Sequence, residues 1–211
     1  MLTRLKRKFQ GLMAREAQII YGIGLKPNVI SILGFILGLL SGMAYWAAGA
    51  LSTDLSMYRV HLILAFLLLL FSGICDALDG ALARIRGEVT VFGGFLDSII
   101  DRYVDSAVLL GLILGGVCDL IWGLLALIGS LLTSYVRARA ESSGVMMESI
   151  GLVERAERII IISASSLVEI VWPFLPALRV GIIILAIMSN LTVLQRILYF
   201  HKRLPRAERK N

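Results

Sequence analysis

Charge is scarce in this sequence. Asp, Glu, Lys and Arg make up 17% of its 211 residues, where a soluble domain carries about a quarter. Cysteine is limited to Cys75 and Cys118; two thiols in or beside apolar segments make neither a disulfide framework nor a metal quartet, and they read as small packing residues. Histidine is limited to His61 and His201, which have no acidic or cysteine companions and so do not read as metal ligands. No internal repeat and no low-complexity stretch is visible. What is abundant is apolar: 58% of the residues are hydrophobic, above the roughly 45–50% of soluble domains, and the mean hydropathy is +0.84. Together these values exclude a secreted or cytosolic globular protein, a large extramembrane domain and a disordered chain. They indicate a polytopic membrane protein.

The expected fold is an all-α integral membrane protein, six transmembrane helices preceded by an amphipathic surface helix. At about 20 residues per span, six spans use roughly 120, and apolar stretches can be read at 28–51, 58–82, 94–115, 117–138, 155–175 and 177–200. The segment 1–26 differs. Leu2, Leu5, Phe9, Leu12, Met13 and Ile20 recur at helical spacing opposite Arg4, Lys6, Arg7, Lys8 and Arg15, as in a helix lying on a membrane surface. Pro27 then separates it from the first span. That span is too long for the core of a signal peptide and lacks a clear cleavage site, so it reads as retained. The division is 1–26 juxtamembrane helix, 27–200 transmembrane domain and 201–211 basic tail. Pro173 and Pro176 mark the last turn, and 140–153 reads as a loop or short surface helix.

The net charge is +6, and its placement sets the expected orientation. Basic residues gather in the N-terminal segment, at Arg84 and Arg86, at Arg137, Arg139, Arg155 and Arg158, and in the tail; the opposite face offers Arg59 and Arg179. The positive-inside rule then predicts both termini in the cytoplasm. This distribution suits membrane topology and anionic headgroups, not nucleic acid.

Acidic residues inside apolar segments are costly and usually functional. Asp76 and Asp79 stand at i,i+3 near the end of the second stretch, Asp97 and Asp101 at i,i+4 near the start of the third. Each pair shares one helix face. Read as antiparallel neighbours joined by a cytoplasmic loop, the two stretches put all four carboxylates at one depth. Four carboxylates cannot all stay ionised there without cations between them. Hard divalent ions with oxygen ligands are the natural answer, and two of them make a phosphate clamp. Capping, or pairing with Arg84, Arg86 or Arg102, is the alternative for any single Asp; two register-matched pairs favour the metal. Gly80, Ala81, Ala83, Gly93 and Gly94 leave little bulk around them, allowing close helix packing or the approach of a ligand.

Asp76-x-x-Asp79-Gly80-x-x-Ala83-Arg84, then eight residues, then Gly93-x-x-x-Asp97-x-x-x-Asp101 resembles the complete signature of the CDP-alcohol phosphatidyltransferase family. The resemblance implies transfer of a phosphatidyl-type group from a CDP-linked lipid (CDP-diacylglycerol or CDP-archaeol) to an alcohol, with release of CMP. By it, Asp76, Asp79, Asp97 and Asp101 would hold two Mg2+ or Mn2+ ions per active site. Asp76, Asp79, Gly80, Ala83, Arg84 and Gly93 would border the nucleotide, with Pro27 and Asn28 nearby. Asp101 would be the base that takes the acceptor's proton. A homodimer is also implied.

The signature does not specify the acceptor. Arg137 in Tyr135-Val136-Arg137-Ala138-Arg139, Arg155 in Glu154-Arg155-Ala156-Glu157-Arg158, and Arg196 lie toward the same membrane face as the aspartates. Guanidinium forks suit phosphate, so these three are the expected acceptor-phosphate residues. The two segments also resemble the branch of the family that makes phosphatidylinositol phosphate or archaetidylinositol phosphate, with Arg137 where Lys is common and Ala156 where Pro is common. Inositol 1-phosphate is the leading acceptor, followed by glycerol 3-phosphate and serine. Asp105, one turn beyond Asp101, lies outside the signature and is expected to pair with an Arg or to orient a metal ligand. A cation-coupled transporter is the main reading outside enzymes, but it would place carboxylates near the midplane.

Overall fold

The computed structural model describes Tyr21 and residues 27–147 and 150–203. Among them are six helices: α1 Pro27–Ala50, α2 Leu55–Arg86, α3 Val91–Leu114, α4 Leu120–Ser142, α5 Arg155–Val171 and α6 Ala177–Arg203. Their ends follow local chemistry. Asp54 caps α2 by accepting from Met57 N at 2.8 Å, and Thr90 caps α3 by accepting from Gly93 N at 3.0 Å. Helix α2 stops at Gly87, whose φ of 67° is the left-handed conformation that glycine adopts freely. There Glu88 N donates to Ala83 O at 3.0 Å and Gly87 N to Arg84 O at 3.3 Å. Arg84 and Arg86 therefore stand on the last turn of α2, not in the loop that follows it.

Helix α1 packs along both α2 and α3, whereas α2 and α3, consecutive in the chain, do not pack along one another. This corrects the expected neighbour relation, and the cause lies in α1. Gly34, Gly38 and Gly42 form a small-residue stripe at four-residue spacing, which lets backbones meet. A methyl group on Gly42 would run into the backbone of Ala107, and one on Gly111 into the backbone of Gly42. On the α2 side, Ser72 Oγ donates to Gly34 O at 2.7 Å and Ser41 Oγ to Ala65 O at 2.8 Å. The main core combines Tyr45, Leu62, Leu69, Leu109, Leu112, Ile182 and Leu185 from four of the helices with Cys118 from the α3–α4 turn. Tyr45 Oη and Ser166 Oγ share a buried hydrogen bond of 2.7 Å. Both cysteines are buried and free. Burial first, and then the Asp119 carboxylate, pushes the Cys118 thiol up to about 11, as befits an inert packing residue.

The six-span expectation is also corrected. Four helices are long and apolar enough to cross a membrane: Pro27–Ala50, Leu55–Arg86, Leu120–Ser142 and Ala177–Arg203. Helix α3 is long enough but carries Asp97, Asp101, Arg102 and Asp105. Helix α5 has 17 residues, about 26 Å at 1.5 Å per residue against a hydrocarbon core of about 30 Å. It also holds Arg155, Glu157, Arg158 and Glu169. The apolar stretches 94–115 and 155–175 were read from hydrophobic content; the charges they include are what set them apart. The expected surface helix over 1–26 lies outside the described residues except for Tyr21, as does the tail beyond Arg203. The spans turn large apolar side chains outward, such as Ile32, Leu33, Ile36 and Met43 on α1, the surface of an integral membrane protein.

Candidate active site

The last turns of α2, the first turns of α3 and the start of α5 meet at one end of the bundle. Because α1 holds α2 and α3 apart, their side chains reach across a gap instead of interdigitating. Asp76, Asp97 and Asp101 each offer one carboxylate oxygen there, and these oxygens lie within 4.8 Å of one another. Asp97 is exposed, and the side chains of Asp76 and Asp101 are 34% and 18% accessible. Asp79 stands outside this trio. It is buried, one turn beyond Cys75, whose Cβ a methyl group on Gly34 of α1 would meet, and so on the side of α2 that faces α1.

Arg155, the first residue of α5, enters the trio. Its Nη1 lies 2.7 Å from Asp76 Oδ2 and 2.8 Å from Asp101 Oδ1, and its Nε lies 3.7 Å from Asp105 Oδ1. Those contacts are ion pairs without full alignment: Asp101 Oδ1 and Arg155 Nε are both buried with no hydrogen-bond partner. One turn further along α5, Arg158 completes a two-point pair with Asp105 Oδ2, through Nη2 at 2.6 Å and Nε at 3.1 Å. Arg158 is 5% exposed, so this pair ties α5 to α3 inside the protein. Asp105 thus finds its arginine, which is Arg158 on α5; Arg102 instead donates to Ser98 O of its own helix.

The other two expected phosphate residues form a separate group joined through Glu154. Glu154 caps α5 in a reciprocal capping box with Glu157. Its Oε1 receives Arg196 Nη2 at 3.3 Å and lies 3.8 Å from Arg137 Nη1. Arg137 Nε also donates to Glu141 Oε1 at 2.9 Å. Arg196 is 2% exposed, with Nη1 on Thr133 O at 2.6 Å and Nε on Ile150 O at 2.8 Å. In this arrangement Arg196 ties α6 to α4 and to the α4–α5 connection. Arg155 is therefore placed among the aspartates, and Arg137 and Arg196 beside them across Glu154.

Gly80, Ala83 and Arg84 follow the aspartates on α2, with Arg84 exposed, and Gly93 is exposed at the start of α3. A side chain at Gly80 would meet nothing nearer than Arg84 Nη1 at 3.6 Å, an ordinary van der Waals contact. Pro27 is buried and Asn28 exposed at the start of α1. Sequence reasoning passed over Glu154 and Arg158. The spacing held a signal for Arg158, which is three residues after Arg155 and so shares its helix face.

The residues match what a hard divalent cation needs. Carboxylate oxygens are its preferred donors, and ligands at about 2.0–2.6 Å from an ion stand up to about 5 Å apart across it. Asp101 Oδ1, buried, ion-paired to Arg155 and without a hydrogen bond, is an acceptor that such an ion would satisfy. A cavity of about 400 Å³ lies elsewhere, lined by Ser52, Tyr58, Gly115, Glu169, Phe174 and Arg179 among others. None of the expected site residues lines it.

An all-helical membrane protein whose carboxylates gather at one end of its spans, with arginines beside them, is the setting for chemistry on a phosphorylated lipid. Residues 25–194 match the family model described as CDP-alcohol phosphatidyltransferase, and the chain belongs to that family of enzymes. It is 39% identical over 204 residues to the archaetidylinositol phosphate synthase of Pyrococcus horikoshii, covering 97% of this chain and 98% of the relative. Among solved structures it resembles the phosphatidylinositol phosphate synthase of Mycobacterium tuberculosis with CDP-DAG bound, at a TM-score of 0.73 and 33% identity over 89% of this chain and 92% of that one. The same enzyme in complex with manganese and citrate matches at a TM-score of 0.73 and 33% identity, over 89% of this chain and 88% of that one.

Proposed function

We propose that this enzyme transfers a phosphatidyl-type group from a CDP-linked lipid to a hydroxyl of inositol 1-phosphate and releases CMP. The observation that carries this reading is the convergence of Asp76, Asp97 and Asp101 within 4.8 Å, with Arg155, Arg137 and Arg196 alongside. Relatives named as inositol phosphate lipid synthases support the acceptor. In this reading Asp76, Asp79, Asp97 and Asp101 hold two Mg2+ or Mn2+ ions. When bound, such ions neutralise the diphosphate and stabilise the departing CMP. Gly80, Ala83, Arg84 and Gly93 border the nucleotide, together with Pro27 and Asn28. Asp101 accepts the proton of the acceptor hydroxyl as its oxygen bonds to the lipid-side phosphorus and the bond from that phosphorus to the CMP oxygen breaks. Arg155 and Arg137 hold the acceptor's phosphate, and Arg196, buried and committed to Thr133 O, Ile150 O and Glu154, positions them through Glu154, so the reacting hydroxyl is presented in one orientation.

The site end carries Arg84, Arg86, Arg137, Arg139, Arg155 and Arg158, which supports a cytoplasmic orientation for it. A homodimer is the assembly that the family resemblance suggests. The deciding experiment is CMP release by purified protein in liposomes with Mg2+ or Mn2+. CDP-diacylglycerol and CDP-archaeol are each paired with inositol 1-phosphate, glycerol 3-phosphate, serine or free inositol. Release with inositol 1-phosphate is the expected result. Release only with glycerol 3-phosphate or serine moves the acceptor assignment, and release with none of them overturns the reaction.

A further inference from the structure

We propose that Arg155 is a built-in counter-ion that competes with divalent cations for Asp76 and Asp101, and that Asp105 receives it when cations enter. This rests on the reading of the aspartates as the metal site. One nitrogen, Nη1, touches an oxygen of each carboxylate, at 2.7 and 2.8 Å, so a single positive centre already bridges α2 and α3. A guanidinium there and an ion bound to the same two oxygens exclude each other by volume and by charge. The bridge is loosely made, since Asp101 Oδ1 has no aligned hydrogen bond. Its distances are ordinary for charge-assisted contacts, and an ion pair without an aligned hydrogen bond has less to lose when it breaks.

The second half of the device is Asp105. Its Oδ2 is committed to Arg158 at 2.6 Å, while its Oδ1 faces Arg155 Nε at 3.7 Å. That Nε is buried and lacks a hydrogen bond. A small rotation of the Arg155 side chain toward α3 closes this distance and withdraws Nη1 from the trio. The buried Arg158–Asp105 pair fixes where α5 starts relative to α3, so the rotation needs no helix movement. Cation entry thereby turns Arg155 from a bridge between carboxylates into a free fork beside them.

The test is Mn2+ titration of the purified full-length protein, read from the loss of the free-ion paramagnetic resonance signal. Wild type, Arg155→Gln, Arg155→Lys and Asp101→Asn are compared, without lipid substrate. Removing a unit charge in contact with a ligand set shifts ionic equilibria by about one to three powers of ten, so Arg155→Gln is expected to bind Mn2+ on the order of tenfold more tightly. Arg155→Lys keeps the charge but loses the fork, and an intermediate gain is expected. Unchanged or weaker binding by the Gln variant overturns the proposal. So does a Lys variant identical to wild type, because a charge acting from a distance would give that result. If the Gln variant fails to fold, the Lys variant alone decides. Wild-type protein that binds no Mn2+, or Asp101→Asn that binds it as wild type does, overturns the metal-site reading itself together with this one.

Discussion

The two ends of the helix bundle hold buried charge in different ways. At the end away from the aspartates, Glu169 is 7% exposed, yet both of its oxygens are occupied. Tyr58 Oη donates to Oε1, and Leu178 N, in the first turn of α6, donates to Oε2 at 2.7 Å. Nearby, Ser52 pairs with His61 at 3.0 Å. At the other end, Asp101 Oδ1 is the one buried carboxylate oxygen among the described residues without a hydrogen bond, and three carboxylates share one arginine. The cavity of about 400 Å³ belongs to the end that holds Glu169. Volume is thus a poor guide to chemistry in this protein. A buried carboxylate that the fold places without a hydrogen bond is a better one, because such a group calls for an explanation that a bound ion would supply.

The sharpest way to break this comparison is to change the unsatisfied carboxylate. Asp101→Asn keeps the shape and removes the charge and the proton acceptor, and CMP release is expected to fall by about a hundred- to ten-thousand-fold. Turnover within a few fold of wild type would remove Asp101 as the base.

Arg196 tests whether the site end is uniformly unsatisfied. It is as fully partnered as Glu169, with two backbone carbonyls and Glu154 on its three nitrogens. Arg196→Ala strands those acceptors, and a stability loss of roughly 2–4 kcal/mol is expected, read from thermal unfolding in detergent. The KM for a phosphorylated acceptor is expected to rise with it, since Glu154, the partner that Arg196 shares with Arg137, loses one of its two arginines. A variant with wild-type stability would show that the buried hydrogen bonds of Arg196 contribute nothing net.

How far the sequence revealed this arrangement differs by region. The aspartates were legible because helical spacing alone puts Asp76 with Asp79 and Asp97 with Asp101, and the family signature fixes both gaps. That Asp79 stands apart from the other three was not legible, since it depends on which helix each face of α2 meets. The order of packing was half legible. Gly34, Gly38 and Gly42 announce a close helix contact by their spacing, but their partner, Gly111 on α3, is 69 residues beyond Gly42. The span count failed where hydrophobic content was weighed without the charges within it, on α3 and α5. The arginines show a further limit. Spacing tells which residues share a face, but not whether a guanidinium meets a carbonyl, as Arg196 does, or a carboxylate, as Arg155 does.

The smallest expected effect sharpens the comparison from the Glu169 end. A lone glutamate in an apolar helix has the same sequence signature as a site carboxylate, and only its partners mark Glu169 as structural. Glu169→Gln retains one acceptor for Leu178 N and offers an amide that can donate to the Tyr58 hydroxyl oxygen. What it loses is the negative charge beside the positive N-terminal end of α6, an interaction of about 0.3–1 kcal/mol in exposed settings and up to about 2 when partly buried. Thermal unfolding is therefore expected to shift down by only a few degrees, with kcat and KM for CMP release unchanged. Loss of turnover in a variant that still folds would mean that a carboxylate can be fully satisfied and yet serve the reaction. The contrast between the ends would then be one of position along the bundle, with hydrogen-bond satisfaction no longer separating site from scaffold.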